Sequence, residues 1–568
     1  MSGNTTGVNE SAAALPKRVI CAGLDVLILL VVLAVLAIII TGGGTFDLGG
    51  TTIRARGVEN PIWILTGLVL LRYALGDGPV LGARRWPIAT MLHRGVAFVG
   101  GFPRAAERRF SRPVAALAIL AGAVFAIRVV LAWSSPGFFS GDDVEIHEMT
   151  LGALLGKSWS VWDLRCAFFP MTFVYPAQWL VMHLGGSSTE SLVLSGRAAV
   201  ALVSTAAVPL VWYVARRLAP DDPHLAAVTV FLFAINKLQM SFGSSELPRP
   251  VSTVFVLAAF YFAMKNTPMR SAVAGLLLGT AVAFRFSEAV FIPAALLAIP
   301  RERFVANAFV LVACAVGMAA AIIGVSDHLY WGRPFSSVIA AVDYSLIQRQ
   351  SSRGYEPPWE YFTIIPAWST YFIVGLAVAG SSRRAPETWW LWLPIGMLSL
   401  LPHKEGRYLL PVIPFLCIAA ARGLLRLTRW LHQSTTATGW RQWGRDLAAP
   451  LLLLAILHDA GGWRLSRSDE GVRLAQQLKA AGVVGLAAQD PWRLGGRPYL
   501  WPLDPVTEMS SETLGNEVAL SAALKDASVV ALRSRVARSA GDPVLQAHGF
   551  RRDPAWRGED YVLYRKTP

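Results

Sequence analysis

Val19-Ile-Cys-Ala-Gly-Leu-Asp-Val-Leu-Ile-Leu-Leu-Val-Val-Leu-Ala-Val-Leu-Ala-Ile-Ile-Ile40 decides the class of fold, because Asp25 is the sole charged residue in it. An α-helix rises about 1.5 Å per residue, so a run of this length crosses a hydrocarbon core of about 30 Å. Lys17 and Arg18 precede it, as they would a secretory signal. The run is nevertheless too long for a cleavable apolar region and ends in Thr41-Gly-Gly-Gly without a small-x-small cleavage site. It is expected to stay in the mature protein as an anchor, with Asp25 weakening its first turn.

Working outward, comparable runs number about thirteen, some crossing only when tilted or where the bilayer thins. They centre on residues 19–41, 60–75, 113–133, 192–215, 224–242, 250–264, 271–286, 288–300, 304–325, 361–379, 388–402, 407–424 and 447–463. The composition agrees: 54% of residues are hydrophobic and 16% charged, which no ordinary soluble domain shows. The net charge of +15 does not imply nucleic acid, since the basic residues fall in short clusters between apolar runs. Cys21, Cys166, Cys314 and Cys417 lie too far apart for a disulfide framework or a metal site, and no metal or other cofactor is expected. Arginine well above lysine, with abundant Ala, Gly and Trp, points to a GC-rich bacterium and so to an inner membrane.

The charges orient the spans. Arg84 to Arg112 and, in alternate connections, Arg216/Arg217, Lys265/Arg270, Arg301/Arg303, Arg383/Arg384 and Arg422 to Arg445 read as cytoplasmic. The remaining connections carry Asp142, Asp143, Glu145, Glu148 and Asp163, then Asp327 to Glu360, then Glu405, and face outward. Phe168 to Leu184 contains Pro170 and Pro176 and reads as interfacial or re-entrant rather than spanning. Past Trp463 the composition turns soluble, with a helix over Asp469 to Ala481 and strands at Val483 to Ala487, Ser528 to Leu532 and Tyr561 to Lys566. The expectation is an all-α polytopic membrane protein with a small extracytoplasmic α/β domain. Residues 1–112 form an N-terminal hairpin and basic loop, 113–463 the transmembrane catalytic domain with outer loop 134–191, and 464–568 the outer domain, packed on the outer loops.

Ser140-Gly-Asp-Asp-Val-Glu-Ile-His-Glu-Met follows the third span, which puts its carboxylates at the outer membrane surface. A lipid-linked sugar phosphate presents its reactive carbon at that depth, since its phosphate must stay hydrated or paired. Ser140 with Asp143 fits a Ser-x-x-Asp cap, and Ile146, Met149, Ala153 and Leu154 form the apolar face of a helix lying on the membrane. Glu145 and Glu148 read as its solvated face. Asp142 is either a helix-dipole acid or a catalytic one.

His403-Lys-Glu-Gly-Arg-Tyr-Leu-Leu-Pro-Val-Ile-Pro is similar to the HKE-x-RF-hydrophobic-P motif of the Alg-nine-like α-mannosyltransferases, within the GT-C superfamily. Val161-Trp-Asp-Leu-Arg-Cys-Ala-Phe-Phe-Pro resembles a shortened TWE…RS…P stretch of the same family. Asp327-His-Leu-Tyr-Trp-Gly-Arg and Gly354-Tyr-Glu-Pro-Pro-Trp-Glu-Tyr-Phe resemble its D-x-x-FYG and YG-x-x-PW-x-x-YF pair, and Gly279 to Phe286 with Pro293 its G-x-x-x-RP helix pair, except that Phe286 stands where proline is usual. The resemblance runs over roughly residues 113 to 425. Where the family has His-Pro-Asp-Glu, this chain has Ser140-Gly-Asp-Asp, keeping the first acid and shortening the second.

The resemblance implies an inverting transfer of mannose from a polyprenyl-phosphate donor to a lipid-linked or glycan acceptor, with membrane lipids the other partners and no nucleic acid. Asp142 is the expected base and Asp143 its companion at the catalytic position. His403, Lys404 and Arg407 are expected to bind the leaving phosphate, against the alternative of interfacial cations that set topology. Arg285 lies within a span, either on that phosphate or paired with Glu288 three residues on. Arg353, Tyr355 and Trp359 would cover the substrates or belong to an aromatic belt. A transferase for arabinose or glucose, or a flippase that leaves the glycosidic bond intact, are the rival functions.

Overall fold

In a computed structural model the described residues are 7–41, 44–48, 51–55, 58–75, 113–159, 161–162, 164–265, 267–348, 355–432, 440–463, 468–556 and 558–567. The basic segment Arg84 to Arg112, expected to be cytoplasmic, lies outside them, as do Asp163 and Arg353.

The chain is mostly helical. Helices α1 (Gly7–Thr41) and α2 (Glu59–Leu75) flank a β-hairpin, β1 (Gly44–Leu48) and β2 (Thr51–Ala55), that the apolar pattern gave no sign of. Asp25, the odd residue of the opening run, accepts from Arg72 of α2 at 3.0 and 3.2 Å. Two charges that would each be costly between apolar helices thus neutralise one another.

Beyond α3 (Pro113–Ser134) the amphipathic α4 (Gly141–Leu155) is followed by a π turn, Pro170–Val174, and a nine-residue helix, Tyr175–His183, too short to cross a bilayer. Next come α5 (Thr189–Thr205), α6 (Ala207–Leu218), α7 (Pro223–Ile235), α8 (Arg249–Ala263), α9 (Pro268–Phe284) and α10 (Phe304–Trp331). The set closes with α11 (Tyr371–Gly380), α12 (Pro386–Leu398), α13 (Ile413–His432) and α14 (Trp440–Gly461). Gly275 and Gly279 let α9 lie directly on α10: a Cβ at either would meet a backbone oxygen, of Leu311 or Ala315, at 2.3 Å. Small residues four apart are how apolar helices reach such contact.

Five segments are long and apolar enough to span a membrane among the described residues: Val19–Ile38, Val114–Ser134, Thr189–Leu218, Phe304–Trp331 and Gly406–Arg429. The expected count of about thirteen is larger because many of the other apolar runs fold as helices of 10–17 residues. A multi-pass membrane protein follows from this.

After α14 the chain forms α15 (Asp469–Ala480) and a five-stranded sheet of β3 (Leu486–Gln489), β4 (Val506–Met509), β5 (Val529–Arg533), β6 (Phe550–Arg552) and β7 (Tyr561–Lys566). The order is β4-β3-β5-β7-β6, parallel through β4, β3 and β5 and antiparallel through β7 and β6. Its apolar core takes in Phe138 and Val144, so the sheet unit is packed on the start of α4. Asp469 accepts from Ser135 Oγ at 2.7 Å and from the Gly137 amide at 2.8 Å, which ties α15 to the turn that carries the acids.

Candidate active site

The turn between α3 and α4 is held from below. Arg197 of α5 donates to the carbonyls of Ser135 at 2.8 Å and Gly137 at 2.5 Å, and to Glu246 at 2.8 Å. Glu246 also lies 3.3 Å from His147, whose other ring nitrogen is 2.8 Å from Gln178. All four side chains are buried. Buried charges of this kind are tolerable only when paired, and here the pairing fixes the turn.

Ser140 is extended and α4 begins at Gly141, but Ser140 makes no capping bond to the helix. Its hydroxyl donates to Asp143 at 3.0 Å and accepts from Arg407 at 2.7 Å. Asp143 in turn accepts the Phe139 amide at 3.0 Å and is 1% exposed. The expected Ser-x-x-Asp cap is therefore replaced by a reversed one, in which the acid reaches back past the serine. Burial, reinforced by the charge of Glu246, raises the Asp143 carboxyl to about 7.

Asp142 faces the opposite way, into a cavity of about 900 Å³. Arg165 donates to one carboxylate oxygen; Arg407 stands 3.1 Å and Arg285 3.8 Å from the other. Burial alone would raise this carboxyl, but the charges of Arg165, Arg407 and Arg285 outweigh it and hold the group well below the usual carboxylate range. Much of the remaining wall is apolar, with Ile146, Phe284, Val338 and Leu346 in it, and Arg249, His403, Glu405 and Arg493 line it as well.

Arg285 is not inside a helix. α9 ends at Phe284, Arg285 is extended, and a 3-10 turn, Phe286–Val290, follows. The break aims the guanidinium at Asp142, while Glu288 accepts from Ser252 at 2.8 Å and Ser287 at 2.6 Å. The i,i+3 partnership with Glu288 is thus replaced by a longer-range one.

His403 and Arg407 line the same cavity, His403 lying 3.5 Å from Glu405, which also pairs with Arg407. Lys404 does not. It is 3% exposed, and its ammonium donates to the carbonyls of Glu356 at 2.7 Å and Leu401 at 2.6 Å. The neighbours of Lys404 face the cavity while it fastens the loop. Tyr355 and Trp359 are 65% and 63% exposed and take no part in the cavity wall. Arg353 lies outside the described residues.

Two arginines escaped the sequence reading. Arg165 bridges Asp142 and Glu145, and so takes up an acid expected to be solvated. Glu148, the other such acid, accepts the Arg497 amide at 2.9 Å. Ile146 and Met149 are buried against protein rather than laid on lipid. Arg249, at the start of α8, is 1% exposed and stacks 4.1 Å from the Tyr408 ring centre; its Nε has no hydrogen-bond partner among the described residues. Arg165 stood within a quoted motif, whereas Arg249, between two prolines, belonged to none of the quoted motifs.

The sequence profile of the Alg9-like mannosyltransferase family matches residues 147–467, more than half of the chain and beginning just after Asp142 and Asp143. No curated protein matches in sequence. Among solved structures, ArnT from Cupriavidus metallidurans in the apo state aligns with a TM-score of 0.52 at 13% identity, over 80% of this chain and 99% of that one. The arabinofuranosyltransferase AftD from mycobacteria aligns more loosely, with a TM-score of 0.44 at 13% identity, over 80% of this chain and 40% of that one.

Proposed function

The chain belongs to the Alg9-like mannosyltransferase family, and on that premise we propose that it transfers mannose, with inversion, from a polyprenyl-phosphate carrier to an acceptor hydroxyl at the outer face of a bacterial inner membrane. The observation that carries this is the placement of Asp142 among three guanidiniums at the charged end of a cavity much of whose remaining wall is apolar. A polyprenyl-phosphate sugar has the same polarity: a long apolar chain, one anionic diester, and a sugar beyond it.

In this reading Arg249 and Arg285 take the diester phosphate, since neither makes a short ion pair and both line the cavity. The acceptor oxygen attacks the anomeric carbon, the carbon–oxygen bond to phosphate breaks, and the acceptor's proton passes to Asp142. The polyprenyl phosphate leaves as an anion on the arginines. Without donor the charges of Arg165, Arg407 and, third, Arg285 make Asp142 a weak base. An incoming phosphate on Arg285 screens that share of the charge, so donor binding raises the basicity of Asp142 when a proton acceptor is needed. Arg407, bonded to Ser140 and paired with Glu405, positions the carboxylate rather than gripping the donor.

The test uses purified protein, labelled polyprenyl-phosphate mannose and a lipid extract of the producing cells. Release of polyprenyl phosphate with label appearing in a new product supports the transferase. Label that crosses a vesicle wall with its phosphate bond intact contradicts it in favour of a flippase.

A further inference from the structure

The sheet unit after α14 reaches into the same cavity. Its 3-10 turn Pro491–Leu494 places Trp492 and Arg493 in the cavity wall. Trp492 Cγ lies 3.9 Å from where a Cβ on Gly141 would stand, and Gly141 immediately precedes Asp142. Arg493 is stacked on the Trp492 indole at 4.6 Å, and its Nε is buried without a hydrogen-bond partner among the described residues. Its ion-pair partner Asp490 stands 3.6 Å away and is shared with Arg533 at 4.0 Å. The turn is held firmly, with Leu494 in the unit's core and the Arg497 amide bonded to Glu148 of α4.

An indole with a guanidinium stacked over it, set beside a carboxylate base, offers both apolar surface and hydrogen-bond donors, as the apolar face and ring hydroxyls of a pyranose require. We propose that Trp492 and Arg493 form the acceptor subsite, and that the acceptor is a glycan whose terminal sugar ring packs against this pair rather than a bare lipid alcohol. This rests on the transferase reading for its chemistry, but the subsite binds sugar whether or not turnover is seen.

Saturation-transfer NMR on the full chain in nanodiscs, with methyl α-mannopyranoside and methyl α-glucopyranoside as probes and hexanol as the apolar control, tests it. Ring-proton saturation by at least one glycoside, weakened about tenfold or more in Trp492→Ala and in Arg493→Gln and kept in Trp492→Phe, is the expected result. In turnover assays the same two variants raise the acceptor KM and leave the donor KM in place. Equal glycoside signals in the wild type and both variants, or saturation of hexanol alone, overturns the subsite. A wild-type protein that binds glycoside but never cleaves the donor contradicts the transferase reading and leaves the subsite standing.

Discussion

Asp142 and Asp143 are neighbours with opposite environments. Asp143 is sealed in the turn, and its carboxyl titrates at about 7 because burial and Glu246 outweigh the nearby Arg407. An unfolded aspartate titrates near 3.9, so between these values the folded chain holds a proton that the unfolded chain has lost. This contribution is fully present below the unfolded value and is lost as pH rises through about 7. Thermal melts of the wild type should accordingly show Tm falling across that window relative to Asp143→Asn, and matching slopes in the two proteins would refute the assignment. Arg249 supports a second prediction. Removing a guanidinium from a phosphate loses a charge-assisted hydrogen bond, about 1.5–3 kcal/mol, so Arg249→Gln should lower kcat/KM for the donor by about 10- to 100-fold. An unchanged donor KM and turnover would return Arg249 to a packing role. Asp142 was legible as a candidate through the family's acid motif, since its place at a helix start left a dipole acid and a catalytic one equally open. Arg249 was not, because its partner is the face of Tyr408, 159 positions along the chain, and no local pattern encodes that.

Charge at a span end has two readings, and the element that carries it decides between them. In the short stretch from His403 to Glu405 the chain sends Lys404 into the protein and His403 to the cavity. Lys404→Ala strands the carbonyls of Glu356 and Leu401, for which a stability loss of about 1–3 kcal/mol is expected, with the donor KM unchanged. A raised donor KM at unaltered Tm would restore the phosphate role that the motif suggested. Helices were legible wherever apolar runs were long, and the C-terminal strands at Val529 to Arg533 and Tyr561 to Lys566 wherever β-branched and aromatic residues clustered. The break at Arg285 was hidden because an apolar run reads the same whether its helix continues or ends inside it. The reversed cap at Ser140 escaped for a similar reason, since the Ser-x-x-Asp pattern does not say which backbone amide the acid will choose.

At the scale of the molecule, apolar composition and alternating charge establish a multi-pass membrane protein, and the packing of the sheet unit on α4 puts that unit on the side of the acids. With the acids outward, a reporter fused after Thr567 that is active only in the cytoplasm should be silent, and a reporter active only outside should work. The opposite pattern would invert the topology. In the proposed transfer the reaction comes down to one carboxylate. With labelled polyprenyl-phosphate mannose, Asp142→Asn should retain donor binding and lose turnover by about 100-fold or more, because the amide keeps the shape but cannot take the acceptor's proton. Asp143→Asn should keep most of its activity. An active Asp142→Asn beside a dead Asp143→Asn would contradict the account and exchange the roles of the two acids.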